Sequence, residues 1–125
     1  MRMGDILFDL IHLPRRFNAG RMSMYELLRQ TGYFEMHNQV SESGIRQTLV
    51  RHPECIDDWI SYSEDKRTSS GSYIKQEDGT RYKVGCFSEK SGKAIDTSYI
   101  DRTDACAAFI KHEIEDIRCS PKNWN

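Results

Sequence analysis

The spacing of the apolar residues changes about half-way along the chain. Up to residue 62, apolar side chains recur every three or four positions, which is typical of helices with one buried face. Beyond the polar stretch 63–71 they alternate with polar side chains, as in strands with one buried face. Two turn signals, Asp78-Gly79 and Ser91-Gly92, divide this second region. The sequence therefore predicts helices first and then a three-stranded antiparallel meander.

A helical period returns after the third strand. Residues 103–118 are predicted to form a last helix, capped by Asp101 or Thr103, with one continuous apolar stripe. The stripe consists of Cys106, Phe109, Ile110, Ile114 and Ile117. Since such a stripe needs an apolar surface to cover, we expect this helix to pack on the sheet. Helices and strands in separate blocks are typical of an α+β fold, and not of an alternating, doubly wound parallel sheet.

Three helices are predicted before the strands, over about 23–31, 41–51 and 53–62. Ahead of them, residues 4–13 have a helical period that ends at Pro14, and a basic segment follows over 15–21. We therefore expect residues 1–21 to be an N-terminal extension with a short helix and a flexible linker. Residues 22–125 are expected to form a single domain, in a chain of 125 residues that can bury a core without metals or disulfides.

The overall charge argues against one class of partner. The chain has 18 Lys+Arg against 19 Asp+Glu, so it lacks the positive field that drives non-specific nucleic-acid binding. No segment approaches the roughly 18 apolar residues of a membrane span, and the first residues do not resemble a secretory signal. We expect a cytoplasmic protein without membrane contact. In that reducing compartment the four cysteines are expected to be small buried hydrophobes.

Residues capable of catalysis are present, but they do not have the spacing of a known catalytic motif. The cysteines are widely separated and the nucleotide-binding, zinc-protease and serine-hydrolase motifs do not occur, so we expect no metal and no cofactor. The four histidines have no partner that spacing identifies. We therefore expect no catalytic residues and no enzyme activity. A small hydrolase that pairs His37 or His52 with a carboxylate is a minor alternative.

Acidic residues are concentrated around the third predicted helix. The window 54–65 contains five acids and no Lys or Arg, namely Glu54, Asp57, Asp58, Glu64 and Asp65. A second acidic group, His112, Glu113, Glu115 and Asp116, lies in the last helix. Its last two members oppose the helix dipole. Such groups are either solvated helix faces or surfaces that steer a basic protein partner.

Four segments carry a family pattern: residues 25–34, 63–71, 78–85 and 105–111. Together they resemble the small immunity proteins encoded beside bacterial polymorphic toxins, including those of contact-dependent growth inhibition systems. The resemblance covers about residues 22–118 and leaves 1–21 outside. It implies a cytosolic inhibitor that binds the C-terminal domain of one toxin, often a nuclease, and blocks its active site or its access to substrate. The family has no catalytic residues to carry over.

The acidic groups and the resemblance together predict a surface that binds a basic nuclease toxin domain and no nucleic acid directly. Its predicted residues are Asp57, Asp58, Trp59, Tyr62, Glu64, Asp65, Glu115 and Asp116. The main alternative is a small nucleic-acid-binding accessory protein. It would contact phosphates and stack bases with Arg15, Arg16, Arg21, Lys66, Arg67 and either Tyr33 or Phe34.

Overall fold

A computed structural model describes residues 3–20, 22–65, 71–78, 81–88 and 93–119, with backbone alone at 65, 71–72, 78, 86–88 and 93–96. Its elements are α1 (Met3–Ile11), α2 (Leu13–Ala19), α3 (Met24–Gln30), α4 (Tyr33–Met36), a 3-10 turn (His37–Gln39), α5 (Glu42–Arg51), α6 (Glu54–Asp65), β1 (Gly71–Asp78), β2 (Arg81–Ser88), β3 (Lys93–Tyr99) and α7 (Arg102–Cys119). The predicted α+β order of helices, strands and a final helix is confirmed.

The three strands form the predicted antiparallel meander in the order β1-β2-β3. Ile74 lies opposite Val84, which in turn lies opposite Thr97, and the first two side chains are buried. The Ser63 hydroxyl accepts a hydrogen bond from the Ile74 amide (3.0 Å) and donates to the Ile74 carbonyl (3.2 Å), so the end of α6 is fastened to the β1 edge. Gly79 of the first predicted turn and both residues of the second lie outside the described residues.

Helix α7 packs on the sheet, as predicted, and on α5 and α6. Six consecutive residues near its start, Ala105 to Ile110, are buried, which is more than one full turn. The first half of α7 is therefore enclosed on all sides, and its alanines let the neighbouring elements approach closely. The ring of Phe109 meets that of Trp59 edge to face, with centroids 5.9 Å apart.

The N-terminal segment differs from its prediction as an extension with a linker. Residues 15–19, expected to be flexible, belong to α2, because Pro14 lies in the first helical turn, where proline is tolerated. Ile6, Leu10, Ile11 and Leu13 are fully buried in the same core cluster as residues of α5, α6 and α7. The predicted boundary at residue 22 therefore does not separate two cores.

Two predicted helix starts are confirmed by their caps. The Ser23 hydroxyl accepts a hydrogen bond from the Glu26 amide, and the Ser41 hydroxyl accepts one from the Gly44 amide. Gly32 has a φ of 88°, in the left-handed region that lets the chain leave α3 and enter α4 at once. Val50, the last apolar residue of α5, is 56% exposed.

Candidate partner-binding surface

The acids of α6 form a stripe along the side of the helix that faces away from the core. Glu54, Asp57, Ser61 and Glu64 are spaced by three, four and three residues, so they share one helix face, and all four are exposed. Asp58 lies beside them and is half-buried. The side chain of Asp65 lies outside the described residues. We call Glu54, Asp57 and Glu64 the acidic stripe.

Two arginines from distant elements pair with acids of α6. Arg15 in α2 binds the Asp58 carboxylate at 2.5 Å, and Arg102 in α7 binds the Asp57 carboxylate at 2.8 Å. The Asp57 side chain is nevertheless 73% exposed. Ion pairs this open to water contribute about 0–1 kcal/mol, because solvent screens them. The negative charge of α6 is thus smaller than its sequence suggests, but it is still accessible.

Trp59 does not belong to this surface, which corrects its prediction as an aromatic anchor for a partner. Its side chain is fully buried, and its Nε1 donates a hydrogen bond to the Ile11 carbonyl of α1 at 3.0 Å. The reason is position on the helix: Trp59 follows Ile56 by three residues and therefore shares the inward face. It connects α6 to the N-terminal helices.

Tyr62 is half-buried, and its hydroxyl points inward. The hydroxyl donates to Glu113 Oε2 at 2.7 Å. Burial, together with the charge of Glu113, raises the pKa of the Tyr62 phenol. The outer edge of its ring meets Phe17 of α2 edge to face, with centroids 6.2 Å apart. Of the two aromatic anchors that we expected, only Tyr62 borders the surface.

The second acidic group, in α7, is not an acidic surface. Glu113 is fully buried and takes part in the contact with Tyr62. Glu115 Oε2 accepts a hydrogen bond from the Tyr33 hydroxyl at 2.5 Å, and its two oxygens accept from the Arg118 guanidinium at 2.8 and 3.0 Å. Asp116 is half-buried. Glu115 therefore holds α7 to α4, and Arg118 offsets the cost of an acid near the helix C-terminus.

This role of Glu115 predicts a pH-dependent contribution to stability. The Arg118 hydrogen bonds hold the pKa of the Glu115 carboxyl at about 2, below its usual 4.5. Because the ionised form is favoured in the folded state, its stabilisation is present above pH 4.5 and is lost as the pH falls towards 2. We expect Glu115→Gln to lower the free energy of unfolding by about 1–2 kcal/mol at neutral pH and by much less at about pH 2, where the folded-state carboxyl is half protonated, as urea titrations would measure. Equal losses at both pH values would contradict this, and exposed Glu35→Gln is the control.

Sequence spacing did not reveal a contact between Cys55 and His12. Cys55 Sγ lies 3.5 Å from His12 Nε2, and His12 Nδ1 lies 2.8 Å from the Phe8 carbonyl oxygen. Because a carbonyl oxygen can only accept, Nδ1 donates to it, and Nε2 accepts a hydrogen bond from the Cys55 thiol. Cys55 is fully buried, and burial raises the pKa of its thiol to about 11. A protonated, enclosed thiol is a packing group, as we expected for the cysteines. Cys106 is buried likewise, but Cys119 is exposed, so the expectation of a buried side chain is wrong for Cys119. The side chain of Cys86 lies outside the described residues.

Within the part of the chain that the structure describes, neither histidine of the hydrolase alternative has a carboxylate within hydrogen-bond distance. His52 Nδ1 lies 3.6 Å from Glu54 Oε1, which is too long for a hydrogen bond. The His37 carbonyl accepts a hydrogen bond from Lys111, and its ring meets that of Tyr33. Among the described residues, no group of three or more His, Cys, Asp or Glu side chains is arranged to hold a metal ion.

Of the residues of the nucleic-acid alternative, the structure describes Arg15, Arg16, Tyr33 and Phe34. Tyr33 is fully buried, so its ring has no face for stacking on a base. Arg15 is paired with Asp58. Arg21, Lys66 and Arg67 lie outside the described residues.

Two further findings bear on the identity of the chain. Within the described ranges, no helix has both the length and the apolar character needed to cross a bilayer. Comparisons with protein families, with characterised proteins and with solved structures found no match to this chain.

Proposed function

We propose that this chain is a cytoplasmic immunity protein that binds the C-terminal domain of a cognate bacterial toxin and neutralises it. The toxin is expected to be a basic nuclease, because a nuclease must attract a polyanionic substrate. The observation that carries the proposal is the acidic stripe: Glu54, Asp57 and Glu64 are exposed together on one face of α6. The resemblance of residues 22–118 to immunity proteins supports the same function.

The ion pairs beside the stripe are compatible with partner binding. The Asp57 carboxylate, 73% exposed, can exchange Arg102 for a cation of the toxin at little cost, since an exposed pair contributes about 0–1 kcal/mol. Asp58 is only 26% exposed and its partner Arg15 comes from α2, so this second pair is better suited to fixing α6 against α2. The stripe is therefore a charged surface on a helix that its contact with α2 holds in place. A surface that is already ordered loses less conformational entropy when it binds a partner.

Reversal of the stripe is expected to weaken binding strongly. Glu54→Lys, Asp57→Lys and Glu64→Lys combined should raise the Kd for the toxin domain about 100-fold, because three favourable contacts become repulsive and long-range steering is reversed. The measurement is the Kd and the association rate at low and physiological salt, using the C-terminal domain encoded by the adjacent upstream gene. Most of the loss at low salt should appear in the association rate.

A matched control carries the same charge change elsewhere. Asp5, Glu35 and Glu42 are exposed acids in the first turns of α1, α4 and α5. In the stripe only Glu54 and Asp57 lie in a first turn, so the control loses at least as much helix-dipole energy as the stripe variant. At physiological salt, which screens long-range electrostatic attraction, the Kd of this control should be within about threefold of the Kd of the wild type. An unchanged Kd for the folded stripe variant would remove α6 from the interface. Equal losses in both variants would show that only net charge matters.

A further inference from the structure

A shallow groove lies between α2 and α3. Its lining residues are Arg16, Ala19, Gly20, Met22 and Leu27, and its volume is about 520 Å³. That volume is in the range of small-molecule pockets, but such pockets bury most of their ligand. Here four of the five lining residues are exposed. The groove is therefore an open surface that suits a protein segment better than an enclosed small molecule.

The segment around the groove has little cover from the rest of the described fold. Residues 15–20 are all exposed, although 15–19 are helical. Met22, 41% exposed, lies in the groove. Phe17, 39% exposed, directly follows the lining residue Arg16 in the chain. Methionine is flexible and polarisable, and it is frequent on surfaces that bind other proteins.

Arg16 gives the groove its charge preference. Of the lining residues that the structure describes, it alone is charged, and its side chain has no ion pair with another described residue. An exposed guanidinium beside apolar surface binds carboxylates in a two-pronged geometry. The complementary ligand therefore combines a large apolar group with a carboxylate.

Helix α2, which contributes Arg16 and Ala19 to the groove, also contacts α6, the helix that carries the acidic stripe. Phe17, in the same helix as Arg16, contacts Tyr62 of α6, and Arg15 pairs with Asp58. A partner bound along α6 would therefore also lie close to α2. An apolar groove beside a charged stripe matches the usual arrangement of an interface, in which apolar contacts supply most of the binding energy and charged residues surround them.

We propose that this groove binds a segment of the toxin domain that places a large apolar side chain against Ala19, Met22 and Leu27. The same segment places an Asp or Glu carboxylate on Arg16. This inference rests on the proposed function and deepens it, since it assigns a second, apolar contact and states its chemistry. The acidic stripe steers and orients the toxin domain, and the groove determines how slowly it leaves.

The test fills the groove or reverses its charge in the full-length chain. Ala19→Trp places an indole in the groove, and its matched control is Asn18→Trp, which adds the same group to the preceding exposed position of α2 outside the lining. Arg16→Glu reverses the charge, and its control is exposed Arg51→Glu at the end of α5. Binding of the upstream-encoded toxin domain is measured by calorimetry and by dissociation rate, after circular dichroism has shown that each variant is folded.

We expect Ala19→Trp and Arg16→Glu each to raise the Kd at least about 10-fold, mainly through faster dissociation, with both controls within about threefold of the wild type. If the wild type binds the toxin domain and the groove variants bind as tightly as their controls, the inference is overturned and the proposed function stands. If the wild type does not bind it, both are overturned. If Ala19→Trp abolishes a dimer of the wild type but leaves toxin binding intact, the groove holds a second copy of the chain, and the inference is again wrong.

Discussion

Removal of residues 1–21 is expected to unfold the rest of the chain. Ile6, Leu10, Ile11 and Leu13 are fully buried in the common core. Each such side chain contributes about 1.5–3 kcal/mol through burial, so the four together contribute about 6–12 kcal/mol, which is comparable with the whole stability of a typical domain, about 5–15 kcal/mol. The truncated chain, residues 22–125, should show no cooperative transition by circular dichroism on heating or in urea.

Single substitutions in α1 separate a loss of core contacts from a general effect of shortening the chain. Leu10→Ala should lower the free energy of unfolding by about 2–5 kcal/mol, because it leaves a cavity in the core. Phe8→Ala, two residues earlier and 45% exposed, should cost less than about 1 kcal/mol. A truncated chain that unfolds cooperatively near the transition of the full chain would instead restore the view of residues 1–21 as an extension.

The second large effect is expected at Trp59. Trp59→Ala should lower the free energy of unfolding by about 3–5 kcal/mol, since it removes the largest fully buried side chain of the core. Trp59→Phe keeps most of the apolar volume but leaves the Ile11 carbonyl without its donor, and it should cost about 1–3 kcal/mol. Urea titrations followed by circular dichroism measure both values.

Trp59 also distinguishes a core residue from a contact residue. If its indole were an interface anchor, Trp59→Ala would weaken toxin binding and leave the unfolding transition where it is. The structure predicts the opposite for Trp59→Phe at a temperature where the variant is folded: lower stability, with a Kd within about threefold of the wild type. A large increase in Kd without loss of stability would contradict the burial of Trp59.

The order of the elements could be predicted because local chemistry determines it. The change of apolar period separates the helices from the strands, and the hydroxyls of Ser23 and Ser41 fix two helix starts within a few residues. Pro14 misled the prediction because proline is compatible both with the end of one helix and with the first turn of the next. Only the packing of α1 and α2 on the core distinguishes these two possibilities.

The surface could be predicted less well, because its electrostatics depend on contacts between distant residues. Arg15 lies 43 positions from Asp58, and Arg102 lies 45 positions from Asp57, so neither arginine appears in the acidic window of the sequence. The same holds for Glu115, whose partner Tyr33 is 82 positions away. Trp59 could have been assigned correctly, because its helical spacing from Ile56 already places it on the apolar face.

The most direct test of the proposed function is co-expression with the C-terminal domain encoded by the adjacent upstream gene. We expect that domain to arrest growth when it is expressed alone. With the full-length chain present, growth should recover, and the two proteins should purify together as a complex that the stripe variant, Glu54→Lys with Asp57→Lys and Glu64→Lys, fails to form. Continued growth arrest, with no complex between the wild-type chain and that domain, would contradict the account.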